Sequence, residues 1–141
     1  MTCALCVEPA GDLVFEDGWT RVILHEDGSP RGHAMVVSRR HVENASDLDE
    51  EEFAHLARVW HRAERAILDA SGAERAIILK LGLLTPHLHV HIYPVGSEAT
   101  REDVFAAIDG KAGTKRDGLF VEKVKLLLST SAPAHLTLPP C

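Results

Sequence analysis

Apolar residues in this chain recur at two different periods, and each change of period marks an element. Near the start they come in short runs. Leu13-Val14-Phe15 stops at the turn dipeptide Asp17-Gly18. Thr20 to Leu24 is β-branched and apolar, and runs into the loop-forming Glu26-Asp27-Gly28-Ser29-Pro30. His33 to Ser38 is a third run. Such segments predict strands. Leu48, Phe53, Leu56, Trp60, Ala63 and Ile67 then follow at three- and four-residue steps, which predicts one long helix. Ser46 or Asp49 is its expected N-cap, with Glu52 completing a capping box after Asp49. Ser71-Gly72 is its expected end. Glu50, Glu51, Arg58, Arg62 and Arg65 lie off the stripe and read as a solvated face.

Beyond the helix, Arg75 to Leu81 predicts a buried strand, Gly82 to Pro86 a turn, and His87 to Tyr93 a last strand closed by Pro94 and Gly96. Thr100 is the expected cap of a short helix over Arg101 to Ile108, and Phe120 to Leu128 is amphipathic. A chain of 141 residues suits one domain with its own core, placed here at 1–130, with a loosely ordered tail at 131–141.

The net charge of −6 argues against a surface that wraps nucleic acid. No run approaches the ~18 apolar residues of a membrane span. The first residues have neither a basic segment nor a long apolar one, so a cytoplasmic protein is expected. Three cysteines make an odd count, and Cys3-x-x-Cys6 has a metal-type spacing rather than that of a disulfide framework.

The most informative stretch is His87-Leu88-His89-Val90-His91-Ile92-Tyr93. Side chains alternate across a strand, so the three histidines are expected on one face and the aliphatics on the other. On composition alone such a run is expected about 0.03 times. A row of imidazoles suits either a metal or a nucleophile that works near neutral pH. His33 and His41 flank the third strand, and His33 is placed to join the row if that strand pairs beside it. His25, His55, His61 and His135 read as surface residues, Trp60 as core or a subunit contact, and Cys141 as a bystander.

Residues 87–93 match, at every position, the His-φ-His-φ-His-φ-φ motif of the histidine triad (HIT) family, where φ is hydrophobic. His33-Ala34-Met35-Val36-Val37-Ser38-Arg39-Arg40-His41 is similar to that family's upstream strand, basic pair and second histidine, with Ser38 where Pro is usual. The resemblance covers roughly residues 3–95. It implies an α+β fold, with a mostly antiparallel sheet of about five strands, one long helix and shorter C-terminal helices. It also implies a homodimer that acts at the α-phosphate of a nucleotide conjugate or dinucleoside polyphosphate. By the resemblance His89 is the nucleophile, with His91, His87 and His33 supplying donors or orienting it. Gly82 matches the glycine where backbone approaches phosphate. An acidic ribose contact is expected at Glu26 or Asp27.

Some HIT-like proteins bind zinc through a cysteine pair, the histidine after the basic pair and the first triad histidine, which here are Cys3, Cys6, His41 and His87. Such a set is a closed structural site. The chain departs from the family at Ala76, where Asn is frequent, and at Leu83-Leu84, where Gln-Ser is frequent. Thr85 and Lys80 are the expected partial replacements. Two other readings stay open: a zinc-stabilised nucleotide-binding or regulatory protein with weak or no turnover, and a metalloenzyme using the His-x-His pair as catalytic ligands.

Overall fold

The computed structural model describes residues 2–7, 9–27 and 29–130. The elements follow in the order α1 (Ala4–Val7), β1 (Asp12–Glu16), β2 (Thr20–Leu24), β3 (Ala34–Ser38), a 3-10 turn (Ala45–Asp47), α2 (Glu50–Ser71), β4 (Arg75–Leu79), β5 (His89–Val95), α3 (Arg101–Ile108) and α4 (Gly118–Thr130). The strands form one antiparallel sheet in the order β1-β2-β3-β5-β4. The expected α+β architecture is present, including the long helix and the shorter C-terminal ones. The expected tail and the bystander residues His135 and Cys141 lie outside the described residues.

Helix α2 begins where its capping chemistry predicts. Asp49 accepts the Glu52 N–H at 2.8 Å while Glu52 reaches back to the Asp49 N–H. It ends at Gly72, whose φ of 72° is the left-handed conformation glycine adopts most easily. Its Leu56, Val59, Ala63 and Ile67 pack on Val22, Leu24, Val36 and Ile92 of the sheet, and α4 closes the same core with Phe120, Val121, Val124 and Leu128. A smaller apolar cluster of Leu5, Ile23, Met35 and Val37 covers the opposite face.

Two strand expectations need correction. Strand β5 starts at His89 and runs through Pro94 to Val95 instead of stopping before the proline. Pairing with β3 ends at Ile92, so Pro94 has only β4 beside it and its missing N–H is tolerated as on an edge. Strand β4 is a half-exposed edge strand of five residues, not a buried one. Its Ala-Ile-Ile-Leu composition suits a buried strand, but only one neighbour pairs with it.

Candidate active site and metal cluster

Register decides which side chains meet. Ile23 pairs with Met35, Met35 with His91, and His91 with Leu79, so these four form one row across the sheet. Arg21, Val37 and His89 form the next row. Leu88 and Ile92 belong to the core on the α2 side, which leaves His89 and His91 on the other face with Ile23 and Met35. Alternation thus puts two of the three predicted imidazoles, His89 and His91, in one row, while His87 precedes the strand.

His33 joins that row from the residue before β3. Its ring is buried and meets both His91, at a centroid distance of 5.1 Å, and Tyr93, at 4.2 Å and nearly parallel, with those two rings 5.6 Å apart. The hydrogen bonds fix its tautomer. The carbonyl of His25 can only accept, and it lies 3.0 Å from His33 Nδ1, so Nδ1 carries the proton. Nε2 then accepts from His91 Nδ1–H at 2.8 Å. Burial, reinforced by the neighbouring histidines, lowers His33 to about 3 and His91 to about 4. Both rings are therefore neutral near pH 7. Burial alone pushes the Tyr93 hydroxyl upward.

The same logic applies at His89. Its Nδ1 lies 2.6 Å from the carbonyl oxygen of His87. The carbonyl must accept, so Nδ1 holds the proton and the Nε2 lone pair is left for chemistry.

His87 faces elsewhere. It is almost fully buried, its Nε2–H donates to the Ser38 carbonyl, and its Nδ1 points at Cys3 and Cys6, each 3.4 Å away, and at His41 Nδ1, 3.1 Å away. Cys6 Sγ lies 3.2 Å from His41 Nδ1. All four donor atoms lie within 4.8 Å of one another. Ligands on a tetrahedral zinc are about 3.3–3.7 Å apart for bond lengths of about 2.0–2.3 Å, so the cluster has nearly the size of a zinc shell. The Ser38 carbonyl fixes His87 with its Nδ1 lone pair inward, as an outer-shell acceptor does for a metal ligand. Burial, then the neighbouring His41 and His89, hold His87 below its ordinary value, which keeps it neutral and able to ligate. Cys3, Cys6, His41 and His87 thus make a closed Cys2His2 set that fits structural zinc.

The sequence model of the HIT domain matches residues 8–97. The chain belongs to the HIT family. An uncharacterised HIT-like protein of Mycobacterium tuberculosis is 28% identical to this HIT protein over 103 residues, 67% of this chain and 72% of the relative. Among solved structures, a hypothetical histidine triad nucleotide-binding protein from Sulfolobus tokodaii is 29% identical, covers 89% of each chain and superposes with a TM-score of 0.65. A zinc-bound histidine triad family protein from Mycobacterium smegmatis shares the fold at 20% identity, covering 92% of this chain and 94% of that one, with a TM-score of 0.65.

The remaining expected residues of this HIT protein scatter. Gly82 starts the loop before the triad with φ 64°, and the Thr85 carbonyl accepts the His87 N–H, tightening that loop. Leu83 and Leu84 stand out in solvent, Leu84 fully exposed. Ala76 pairs with Pro94 on the edge strand. Lys80 lines an apolar cleft with Phe53, Trp60, Ile78 and Leu88 on the α2 side, away from the histidine row. The Glu26 carboxylate is buried and occupied: it accepts the Gly32 N–H at 3.2 Å and the Asp117 N–H at 3.3 Å, and pairs with Arg31 at 2.8 Å. Asp27 is exposed and lines a cavity of about 300 Å³ with Gly11, Asp12, His25 and Arg116.

Sequence reasoning missed several contributors. His25 reads as a surface residue, yet its carbonyl sets the His33 tautomer and its ring meets His33 edge-on at 5.9 Å. His55 is tied down as well: its Nε2 lies 2.7 Å from Asp17, with Trp19 against the ring. Leu5, Ile23 and Met35 form an apolar floor beside His91, for which the only sequence signal is strand alternation.

Proposed function

We propose that this protein is a zinc-stabilised nucleotide hydrolase or nucleotidyl transferase. It acts at the α-phosphate of a nucleotide conjugate or dinucleoside polyphosphate. The observation that carries this reading is the 2.6 Å contact of His89 Nδ1 with the His87 carbonyl, because it holds the Nδ1 proton and makes Nε2 the attacking atom. In the first step a bond forms between His89 Nε2 and the α-phosphorus while the bond to the leaving group breaks. The leaving group takes a proton from solvent. In the second step water attacks the nucleotidyl-histidine, breaks the Nε2–phosphorus bond, gives its proton back to solvent and restores the free imidazole. His91 is neutral in the free protein. A bound phosphate anion favours its protonated form, so it serves as donor to the developing charge. His33 holds His91 in register for that role. His87 contributes its carbonyl, while its ring belongs to the metal cluster.

Glu26 and Asp27 both line the open cavity, and Asp27 is the better acceptor for ribose hydroxyls, since both Glu26 oxygens are engaged whereas Asp27 accepts the Arg116 N–H through Oδ1 alone. Gly82 and Thr85 border the leaving group. Lys80 takes no part. When bound at Cys3, Cys6, His41 and His87, zinc supplies structural cross-linking of the N-terminus to the sheet. A cytoplasmic location suits the two cysteines held as free thiols. A second copy of the chain is the proposed cover for the open β4 edge and the cleft lined by Phe53 and Trp60.

Incubation with adenosine phosphoramidate and a dinucleoside polyphosphate tests this reading. Turnover and a covalent adduct detected by mass, both lost in His89→Ala, support it. Equal turnover in that variant overturns it. Leu83 and Leu84 offer no hydrogen bond from their side chains to a leaving group, which favours one rival. Nucleotide binding without turnover would establish that rival, a nucleotide-binding regulatory protein.

A further inference from the structure

The loop from His25 to His33 carries the acceptor that fixes the His33 tautomer, so whatever shapes this loop shapes the histidine row. Within the loop, His25 N–H bonds to the His33 carbonyl, His33 N–H to Pro30, and Ser29 N–H to Glu26. Ser29 Oγ adds a contact at 2.9 Å to His33 Nδ1. These are short-range bonds. Ile67 and Pro94 pack against Gly32, and His33 is held by His91 and Tyr93. Among the described residues, however, the longer-range hydrogen bonds of residues 26–32 reach residues 115–117, beyond the residues 8–97 that the family match covers.

Each restraint is specific. The Glu26 carboxylate sits inside the loop, accepts Gly32 N–H with one oxygen and Asp117 N–H with the other. Arg31, paired to Glu26, also donates to the Lys115 carbonyl at 3.0 Å. Asp27 accepts the Arg116 N–H at 3.0 Å. The Arg116 guanidinium forks onto both oxygens of Asp12, at 2.8 and 2.9 Å, so the segment is also anchored to the start of β1. The Phe120 ring lies under Arg31 and within 3.4 Å of where a Cβ on Gly32 would stand. An unpaired buried carboxylate is costly, so Glu26 strongly favours the loop shape in which Arg31, Gly32 and Asp117 all meet it.

We propose that residues 115–117 form a clasp that positions the catalytic loop. Glu26 is the positioning residue at its centre, acting on His91 through His33 rather than by touching substrate. This rests on the functional reading above for its kinetic consequence, though not for its structural one. The part of the chain outside the family match would then set how well the triad works.

The test uses the full-length chain with Arg116→Ala, Glu26→Gln and Glu26→Ala. Three quantities are read: kcat, the dissociation constant for adenosine monophosphate, and solvent exchange of the His33 Nδ1–H proton by NMR. The clasp predicts that Arg116→Ala lowers kcat about tenfold and speeds exchange of that proton at least tenfold, while any weakening of the dissociation constant, which Arg116 can cause by lining the cavity beside Asp27, stays smaller than the loss of kcat. Glu26→Gln, which keeps one acceptor, falls between wild type and Glu26→Ala. Arg116→Ala unfolds nothing essential, since it removes only exposed contacts, and so stays informative should Glu26→Ala not fold. Unchanged exchange in Arg116→Ala overturns the proposal. So does a weakened dissociation constant with kcat intact, which would make the segment a substrate contact. If the wild type turns over no nucleotide conjugate, the functional reading falls, and the exchange measurement alone still decides the clasp.

Discussion

His33 Nε2 lies 2.8 Å from His91 Nδ1, and the two rings stack at 5.1 Å with an interplanar angle of 21°. One proton bridges that contact, from His91 Nδ1 to His33 Nε2, so the two facing nitrogens cannot both be protonated. His33 is lowered to about 3 and His91 to about 4, in each case mainly by burial. In the unfolded chain both titrate near 6.5. Above that pH neither state binds extra protons and the pair has no effect on stability. As pH falls from about 6.5 toward 4, the unfolded state takes up protons that the folded state refuses, so stability falls. His33 alone contributes a slope approaching 1.4 kcal/mol per pH unit, on the order expected for one proton. An NMR titration should find the His33 and His91 ring signals unmoved between pH 7 and 5.

The metal cluster makes a separate forecast. Purified protein should carry one zinc per chain, and Cys3→Ser should lose it. If the bound ion stabilises by about 3 kcal/mol, as for a ligand at roughly a hundred times its dissociation constant, chelation lowers Tm by about 10 °C. His89 should also lose order on chelation, because the carbonyl that orients it belongs to a cluster ligand. Calorimetry with and without chelator reads the first effect, and the His89 imidazole NMR signal the second.

Two glycines of positive φ should respond differently to alanine. A Cβ at Gly11, where φ is 114°, would sit 2.3 Å from the Leu24 carbonyl oxygen. At Gly72, where φ is 72°, the space is open. Gly72→Ala should cost about 1 kcal/mol of left-handed strain, whereas Gly11→Ala should cost well over 2 kcal/mol because backbone must also move. Urea unfolding of both variants gives the ranking.

Removing the α2 cap is a milder perturbation. Asp49→Ala deletes the acceptor for the Glu52 N–H and half of the capping box, an expected loss of about 1 kcal/mol. Since α2 carries no triad residue, nucleotide affinity measured at 25 °C should not change.

The proposed dimer is checked by sedimentation. Phe53, half exposed beside Trp60 and Ile78, sits at the mouth of the cleft next to the open β4 edge. Phe53→Glu should shift the wild-type species to half its mass while leaving the circular dichroism spectrum intact. A wild type that sediments as a monomer would remove the proposal.

Much of this molecule is legible from local chemistry. The bounds of β2 and the Thr100 cap of α3 follow from residue type and spacing alone, and so does the sidedness of His89 and His91. The Cys2His2 set is legible too, through the family resemblance. What escapes is set by contacts distant in sequence or made by backbone. The fate of Glu26 depends on Asp117, ninety-one positions away. His25 matters through a carbonyl, which every residue possesses, so its side chain gives no sign of the role. The exposure of β4 depends on its place at the end of the strand order, which apolar composition does not report.

The four cluster residues come from three separate places: the N-terminal segment that leads into and forms α1, the turn after β3, and the loop entering β5. Because side chains alternate along a strand, sliding β5 by one residue against β3 would turn the imidazoles toward α2 and withdraw His87 from the cysteines. The donors therefore meet only in the register of the finished sheet. In folding terms the complete four-donor cluster is a checkpoint on the β3–β5 register. Metal uptake reports that the nucleophile strand has docked in its correct frame, and a mispaired chain would remain without the ion.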